Sequence, residues 1–390
     1  MSSSKPNIAI SVGGTKFGSA IVHSDPLAIC AQTDRIEWRD LSAWKSSPRP
    51  ETLFRLIAEK TFLLFQDSDF SFEDVCQIGL AWPGPGRYSQ GLLTATFIPG
   101  CKEPQAIHEM VQAAFSSVFG MNCDSIEIVS ALDVNVRSRG EVLHPQGALR
   151  HTESGQYPSG LVINIATGIA GAAVRDGRPL PSAFDLGETY GQWGRFLFYD
   201  RQNGEWIWRP TEDGSILPHD GSLIRFTELC GGPALSRRFA ELVRGAPAGL
   251  VPSCLRQLAT PVLPDPSQRN ITAEKEFLRA ITKAAHEGVP LVSDFIVRVG
   301  KEIGGALNQL INSIGEGDWD KIVLAGSVGE NFGASQAGSP DMLIESIASV
   351  LPFAGLQIVR SQVGLDAEYI GFAPSVPKNL SCDEKENRNA

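Results

Sequence analysis

The sequence predicts an α/β fold of two lobes around a central cleft. An apolar strand, a turn of Gly and Thr, and a second apolar strand occur in that order near residues 8–22 and again near 161–174. Duplication of one structural unit is the simplest account of that repeat. Each apolar strand is followed directly by a turn of small residues, as at the ligand-facing ends of α/β sheets. The chain has 390 residues and 42% hydrophobic content, enough for a large core and too long for one typical domain.

The elements follow in chain order. Ile8, Ile10 and Val12 alternate with smaller residues, the period of a strand. The turn Gly13-Gly14-Thr15-Lys16 and the returning run Phe17 to Val22 complete a hairpin. Leu53, Phe54, Ile57, Phe62 and Leu63 fall at helical spacing over 51–66, Val75 to Trp82 reads as a strand, and 104–119 as a helix. Ile126 to Val129 is a strand that delivers Asp133 at its end. The plan restarts with the strand Gly160 to Ile165, the turn Ala166-Thr167-Gly168, the return Ile169 to Val174 and an Asp176-Gly177 turn. Residues 196–222, rich in Trp, Asp, Gly and Pro, have no period and read as a long surface excursion, a candidate lid. Helices are expected over 233–246 and 273–286. A longer one carries a broad apolar stripe from Val292 to Ile311. Gly304-Gly305 interrupts it and points to a close approach by another segment. Ile322 to Ala325 is a strand with Gly326-Ser327 as its turn, and residues from Asn379 onward read as a disordered tail.

Composition excludes several classes. The formal net charge is -10 and there is no basic run, which argues against general nucleic-acid or membrane-surface binding. No run of about 18 apolar residues is present, so no membrane-spanning helix is expected. The N-terminal MSSSKPN lacks a signal-peptide pattern, and the seven scattered cysteines form no CxxC, which together predict a reducing, cytoplasmic setting. The six histidines show no metal spacing. A Walker loop and a GxSxG elbow are both absent.

Phosphoryl transfer needs backbone N–H groups to cradle phosphates, a divalent ion, and a base for the attacking hydroxyl. Gly13, Gly14, Thr15 and Lys16 suit the first task, because glycine lets the main chain approach an anion and Thr and Lys add direct contacts. A plain hairpin turn is the alternative reading. Thr167-Gly168 and Gly326-Ser327 form two more such turns. Asp133 reads either as the N-cap of the next helix or as a general base that takes a proton from a substrate hydroxyl.

Taken in order, these segments resemble the ROK (repressor, open reading frame, kinase) family of sugar kinases. The family's first phosphate loop, D-x-G-G-T-K, looks like Ser11 to Lys16, and its G-x-P-G-P core like Ala81 to Gly86. N-D-x-N looks like Leu132-Asp133-Val134-Asn135. The second glycine loop looks like Ala166 to Ala172, and the sugar-contacting G-E segment like Gly187-Glu188. Gly232 to Arg238 is similar to the adenine-side helix, Ala325 to Val328 to the nucleotide-proximal turn, and Asp366-Ala367 with Gly371 to the C-terminal D-A-x-x-x-G. The resemblance implies a ribonuclease H-like, actin/hexokinase-like fold. It implies ATP with Mg2+ as cofactors, and a general-base role for Asp133. It places Glu188, Asn135, Phe97, Gln192 and Glu228 on the substrate side, with Thr227 the alternative to Glu228. Family members are often dimers or tetramers, so a homodimer is an open expectation.

The departures concentrate on the acceptor side. Ser11 stands where the family has an aspartate that helps hold magnesium, which leaves the metal ligands unassigned. Phe97 stands for a sugar-binding asparagine and Gln192 for a histidine. The family's cysteine-rich zinc motif is missing, so no structural zinc is expected. A site that has lost polar partners favours a less polar acceptor, such as a cyclitol or modified sugar, unless loops around Trp193 and Trp206 supply replacement contacts. The implied organisation is an N-terminal lobe over 1–134 with 364–378, a C-terminal lobe over 135–363, and a tail over 379–390. The implied function is ATP-dependent phosphorylation of a sugar, cyclitol or related polyol hydroxyl. The alternatives are a non-catalytic ligand binder and another group transferase on the same fold.

Overall fold

A computed structural model describes residues 5–84, 86–95, 98–180, 193–209, 221–262, 270–314, 319–334 and 340–372. Its first sheet contains β1 (Asn7–Val12), β2 (Lys16–Ser24), β3 (Leu27–Gln32), β4 (Ile36–Glu37), β5 (Gln77–Trp82) and β9 (Glu127–Leu132). Three two-residue strands form a small separate sheet: β6 (Gly86–Arg87), β7 (Leu92–Leu93) and β8 (Gln105–Ala106). The helices of this part are α1 (Ser42–Ser46), α2 (Pro50–Gln66), α3 (Ile107–Phe119) and α4 (Asp133–Leu143).

The second large sheet contains β10 (Gly160–Ile165), β11 (Ile169–Arg175), β12 (Arg178–Pro179), β16 (Lys321–Ala325) and β17 (Gln357–Arg360). Between β12 and β16 come α5 (Trp193–Phe196), β13 (Leu197–Asp200), β14 (Glu205–Trp208), β15 (Leu223–Arg225), α6 (Phe226–Cys230) and α7 (Gly232–Gly245). Then follow α8 (Ser253–Ala259), α9 (Ile271–His286) and α10 (Pro290–Ile314). The chain continues with α11 (Gly326–Asn331), α12 (Met342–Ala348) and α13 (Asp366–Ile370).

The two large sheets share one plan. The strand orders are β3-β2-β1-β5-β9 and β12-β11-β10-β16-β17, with β4 added beside β2. In each order the first three strands pair antiparallel and the last two add in parallel. β1 is buried along its whole length, as a central strand covered on both faces should be. The Asp176-Gly177 turn joins β11 to β12 with φ of 52° and 71°, the left-handed pair that a two-residue hairpin requires. Each large sheet has its own apolar core, Ile8, Phe54, Ile78 and Phe115 contributing to one, Ile163, Phe239, Phe295 and Leu324 to the other.

Two local findings refine the sequence reading. The glycine pair in α10 is a contact point: a Cβ at Gly304 would stand 2.7 Å from the Ile347 carbonyl, and one at Gly305 would stand 2.9 Å from Trp206 Nε1. The described residues of the supposed excursion form regular structure. β13, β14 and β15 form a three-stranded sheet that buries Leu197 and Phe198, and Trp206 packs edge-on against Phe226. Trp206 is therefore a packing residue.

Candidate active site

β1 ends at Val12, and the Gly13 N–H turns back onto the Lys16 carbonyl at 2.7 Å. The buried Trp38 braces this loop, its Nε1–H donating to the Gly13 carbonyl at 3.3 Å. Gly14 borders open space, with no atom within 4 Å of where a Cβ would stand. The Lys16 ammonium faces Glu37 at 3.1 Å, and Glu37 also receives Lys275 of α9 at 2.6 Å.

β9 runs parallel to β5 and carries the chain into α4, whose first residue is Asp133. The Asp133 carboxylate accepts the Val134 N–H at 2.8 Å, but it is not the N-cap expected as one alternative: Leu132 holds that position, without a side-chain cap, and Asp133 is the first helical residue. The side chain is also in an unusual electrostatic position. It retains a little solvent contact, but protein packs closely around it. Burial, and then the Glu368 carboxylate, raise its pKa from 3.8 to about 7. The Val134 N–H, Arg137 and Arg35 oppose that rise.

One polar chain links the ends of four elements here. The Ser11 hydroxyl donates to Glu368 of α13. The other Glu368 oxygen takes Arg137 Nη1 at 3.1 Å. Arg137 Nη2 pairs with Glu330 of α11 and donates to the Gly364 carbonyl at 2.8 Å. Glu330 in turn accepts the Gly326 N–H at 3.0 Å. Glu368 and Arg137 are both nearly fully buried, so this pair depends on its partners. Gly326 has φ of 81°, and a Cβ there would stand 2.2 Å from Asn164 Oδ1. The third small-residue turn thus joins the same cluster as Ser11 and the α4 that Asp133 begins. Gly140 of α4 lets α13 seat: a Cβ there would stand 1.9 Å from the Ala367 carbonyl.

The Thr167-Gly168 turn sits against the start of α7. Ala166 accepts the Gly232 N–H at 2.8 Å, and the Ile169 N–H donates to Thr227 Oγ1 at 3.2 Å. Glu228 accepts from Arg225, at 3.2 Å from the backbone and 2.9 Å from the guanidinium. Asn135 lies two residues along α4, with a buried Oδ1 that has no protein partner. Phe97, Glu188 and Gln192 lie outside the described residues. The residues that the motif search did not single out are Arg35, Arg137, Glu330 and Glu368.

A magnesium ion is held through one or two carboxylates together with substrate phosphates. Position 11 offers a hydroxyl. Glu368, the carboxylate beside it, has both oxygens engaged by Ser11 and Arg137. Among the described residues no three His, Cys, Asp or Glu side chains gather in a way that could hold a metal. These residues do not fit a carboxylate-held ion.

No family model matches the chain, and no curated protein matches it in sequence. Solved structures do match. The ROK hexokinase from Thermus thermophilus aligns at 17% identity over 95% of this chain and 97% of its own, with a TM-score of 0.57. The chain has the ROK kinase fold. The ROK-family glucokinase from Streptomyces griseus, solved with glucose and AMPPNP, aligns at 16% identity over 94% of this chain and 97% of its own, TM-score 0.59. A ROK-family transcriptional regulator, a homologue of the E. coli MLC protein, aligns at 17% identity over 94% of this chain and 79% of its own, TM-score 0.59. Together these likenesses establish the two-lobed actin/hexokinase-like architecture. No helix among the described residues is long and apolar enough to cross a membrane.

Proposed function

We propose that this protein is a divergent ROK kinase that transfers the terminal phosphoryl group of ATP to a hydroxyl of a sugar, cyclitol or related polyol. The observation that carries the reading is Asp133. It is a carboxylate at the start of α4, one turn before Arg137, with its pKa raised to about 7. A general base works best when its pKa lies near the working pH, and a carboxylate at its ordinary value would be a weak one.

In this reading Asp133 takes the proton of the acceptor hydroxyl as that oxygen attacks the terminal phosphorus. ADP then leaves. The turns at Gly13-Gly14-Thr15, Thr167-Gly168 and Gly326-Ser327 supply backbone N–H groups to the nucleotide, apart from those of Gly13 and Gly326, which stay on Lys16 and Glu330. Asn135, whose buried Oδ1 is unpartnered, accepts from a second acceptor hydroxyl. Glu188, Gln192, Phe97 and Glu228 complete the acceptor side. The lobes, 1–134 with 364–378 against 135–363, close on the substrates and exclude water. Incubation of the protein with ATP and a panel of sugars, cyclitols and other polyols, read by product mass, tests this. A phosphorylated product that is lost in D133N is expected, and no product from any acceptor would refute it.

A second reading, a ligand binder without turnover, draws support from Ser11 in place of the family aspartate and from the likeness to a transcriptional regulator. It predicts saturable polyol binding with no phosphorylated product.

A further inference from the structure

We propose that Arg35 is the cation that meets the nucleotide's phosphate chain at the first loop, a role the sequence motif would give to Lys16 and a bound metal. The inference rests on the kinase reading above.

Arg35 follows β3 and precedes β4, outside every motif segment. Its Nη2 is the atom nearest to where a Cβ on Gly13 would stand, at 3.4 Å. It donates to Ser11 Oγ at 3.3 Å and lies 3.8 Å from Glu368. The guanidinium therefore covers the mouth of the glycine turn, with about a third of its side-chain surface (35%) open to solvent. Arg35 also opposes, weakly, the rise in the Asp133 pKa.

The alternatives are already engaged. Lys16 is paired with Glu37, which is shared with Lys275. Arg137 is buried and holds Glu368, Glu330 and the Gly364 carbonyl. Glu368 has its close ionic contact from Arg137, at 3.1 Å, against 3.8 Å to Arg35. Among the described residues Arg35 has no ion pair closer than 3.8 Å and keeps donors for a ligand. A guanidinium presents a planar fork of donors that fits phosphate oxygens bidentately, so Arg at this position is chemically suited to the contact. Ser11 offers a hydroxyl and Glu368 has both oxygens engaged, so Arg35 brings positive charge to the side of the loop where a carboxylate-held ion does not fit.

Equilibrium binding of ATP and of AMP to the full-length protein, each with EDTA and with Mg2+, tests this in wild type, R35Q and R35K. Wild type is expected to bind ATP within about threefold of the same affinity in EDTA and in Mg2+. R35Q is expected to weaken ATP by roughly tenfold to a hundredfold, the worth of a charge-assisted contact, while AMP changes by less than about twofold. R35K should fall between. Thermal unfolding of R35Q shows that the variant is folded, and R35K carries the comparison if it is not. ATP affinity in R35Q equal to wild type overturns the inference and leaves the kinase reading standing, as does wild-type ATP binding that collapses in EDTA. Wild type that binds neither nucleotide overturns both.

Discussion

Asn in place of Asp133 should make the protein more stable at alkaline pH while it abolishes turnover. The folded carboxylate titrates at about 7 against an ordinary 3.8, a rise of about 3 units. At about 1.4 kcal/mol per unit, that caps the cost of keeping Asp133 ionised at about 4 kcal/mol. Residual solvent contact and the shared burden with Glu368 reduce it, so about 1–3 kcal/mol is expected. The sign follows from linkage. Because the folded pKa is raised, the wild-type penalty is absent below about pH 4, grows as pH rises towards 7, and is complete above that. Asn keeps the Val134 contact through its Oδ1 and carries no charge. Urea unfolding read by intrinsic tryptophan fluorescence, in steps from pH 4 to pH 9, should show D133N and wild type within about 0.5 kcal/mol at pH 4. The gap should open to about 1–3 kcal/mol by pH 8. A gap that is the same at both ends, or D133N less stable than wild type at pH 8, would refute the assignment of Asp133 as a carboxylate held against its ionisation.

E368Q removes the like charge that helps raise Asp133, so the acid limb of the kcat/KM profile should move below its wild-type position near pH 7, by about half a unit or more; an unmoved limb would separate Glu368 from the base. G140A should destabilise the protein by more than about 2 kcal/mol in urea, because the obstruction is the Ala367 backbone, which cannot rotate away. The loss should be the same at every pH from 5 to 8. S11D places a second carboxylate against Glu368 and should cost about 1–3 kcal/mol. Adding E368A should recover at least about 1 kcal/mol of that in a double-mutant cycle, and strict additivity would show that positions 11 and 368 do not share one charge.

Much of the frame was legible because its signals are local. The β1–β2 and β10–β11 hairpins each need only two apolar runs and a turn of small residues, all within about twenty positions. The contact of Trp206 and α12 on α10 showed in advance as a glycine pair inside an otherwise regular apolar stripe. β13, β14 and β15 did not show, since strands of four, four and three residues are too short to display a period; the alternation of Trp206 and Trp208 was their trace. Asp133, Gly13 and Gly326 stood out because each follows a strand. The charges around Asp133 were illegible for a different reason. Arg137 meets Glu330 and Glu368 across 193 and 231 positions, and no local pattern records such a pairing. Two hints existed: Arg137 is four residues after Asp133 on the same helix, and Glu368 stands at the first variable position of the C-terminal D-A-x-x-x-G segment.

Those distant charges also explain how Ser11 can be tolerated. A buried carboxylate depends on a cation beside it. Arg137 supplies it, lying between Glu330 and Glu368 and pairing with both. Glu368 then does two things at once. It accepts the Ser11 hydroxyl, which closes the polar chain at the end of β1, and it adds to the burial that lifts Asp133 towards neutrality. Serine at 11, arginine at 137 and glutamate at 368 are therefore three parts of one electrostatic arrangement, and beside it stands Asp133, a carboxylate whose pKa is raised to about 7.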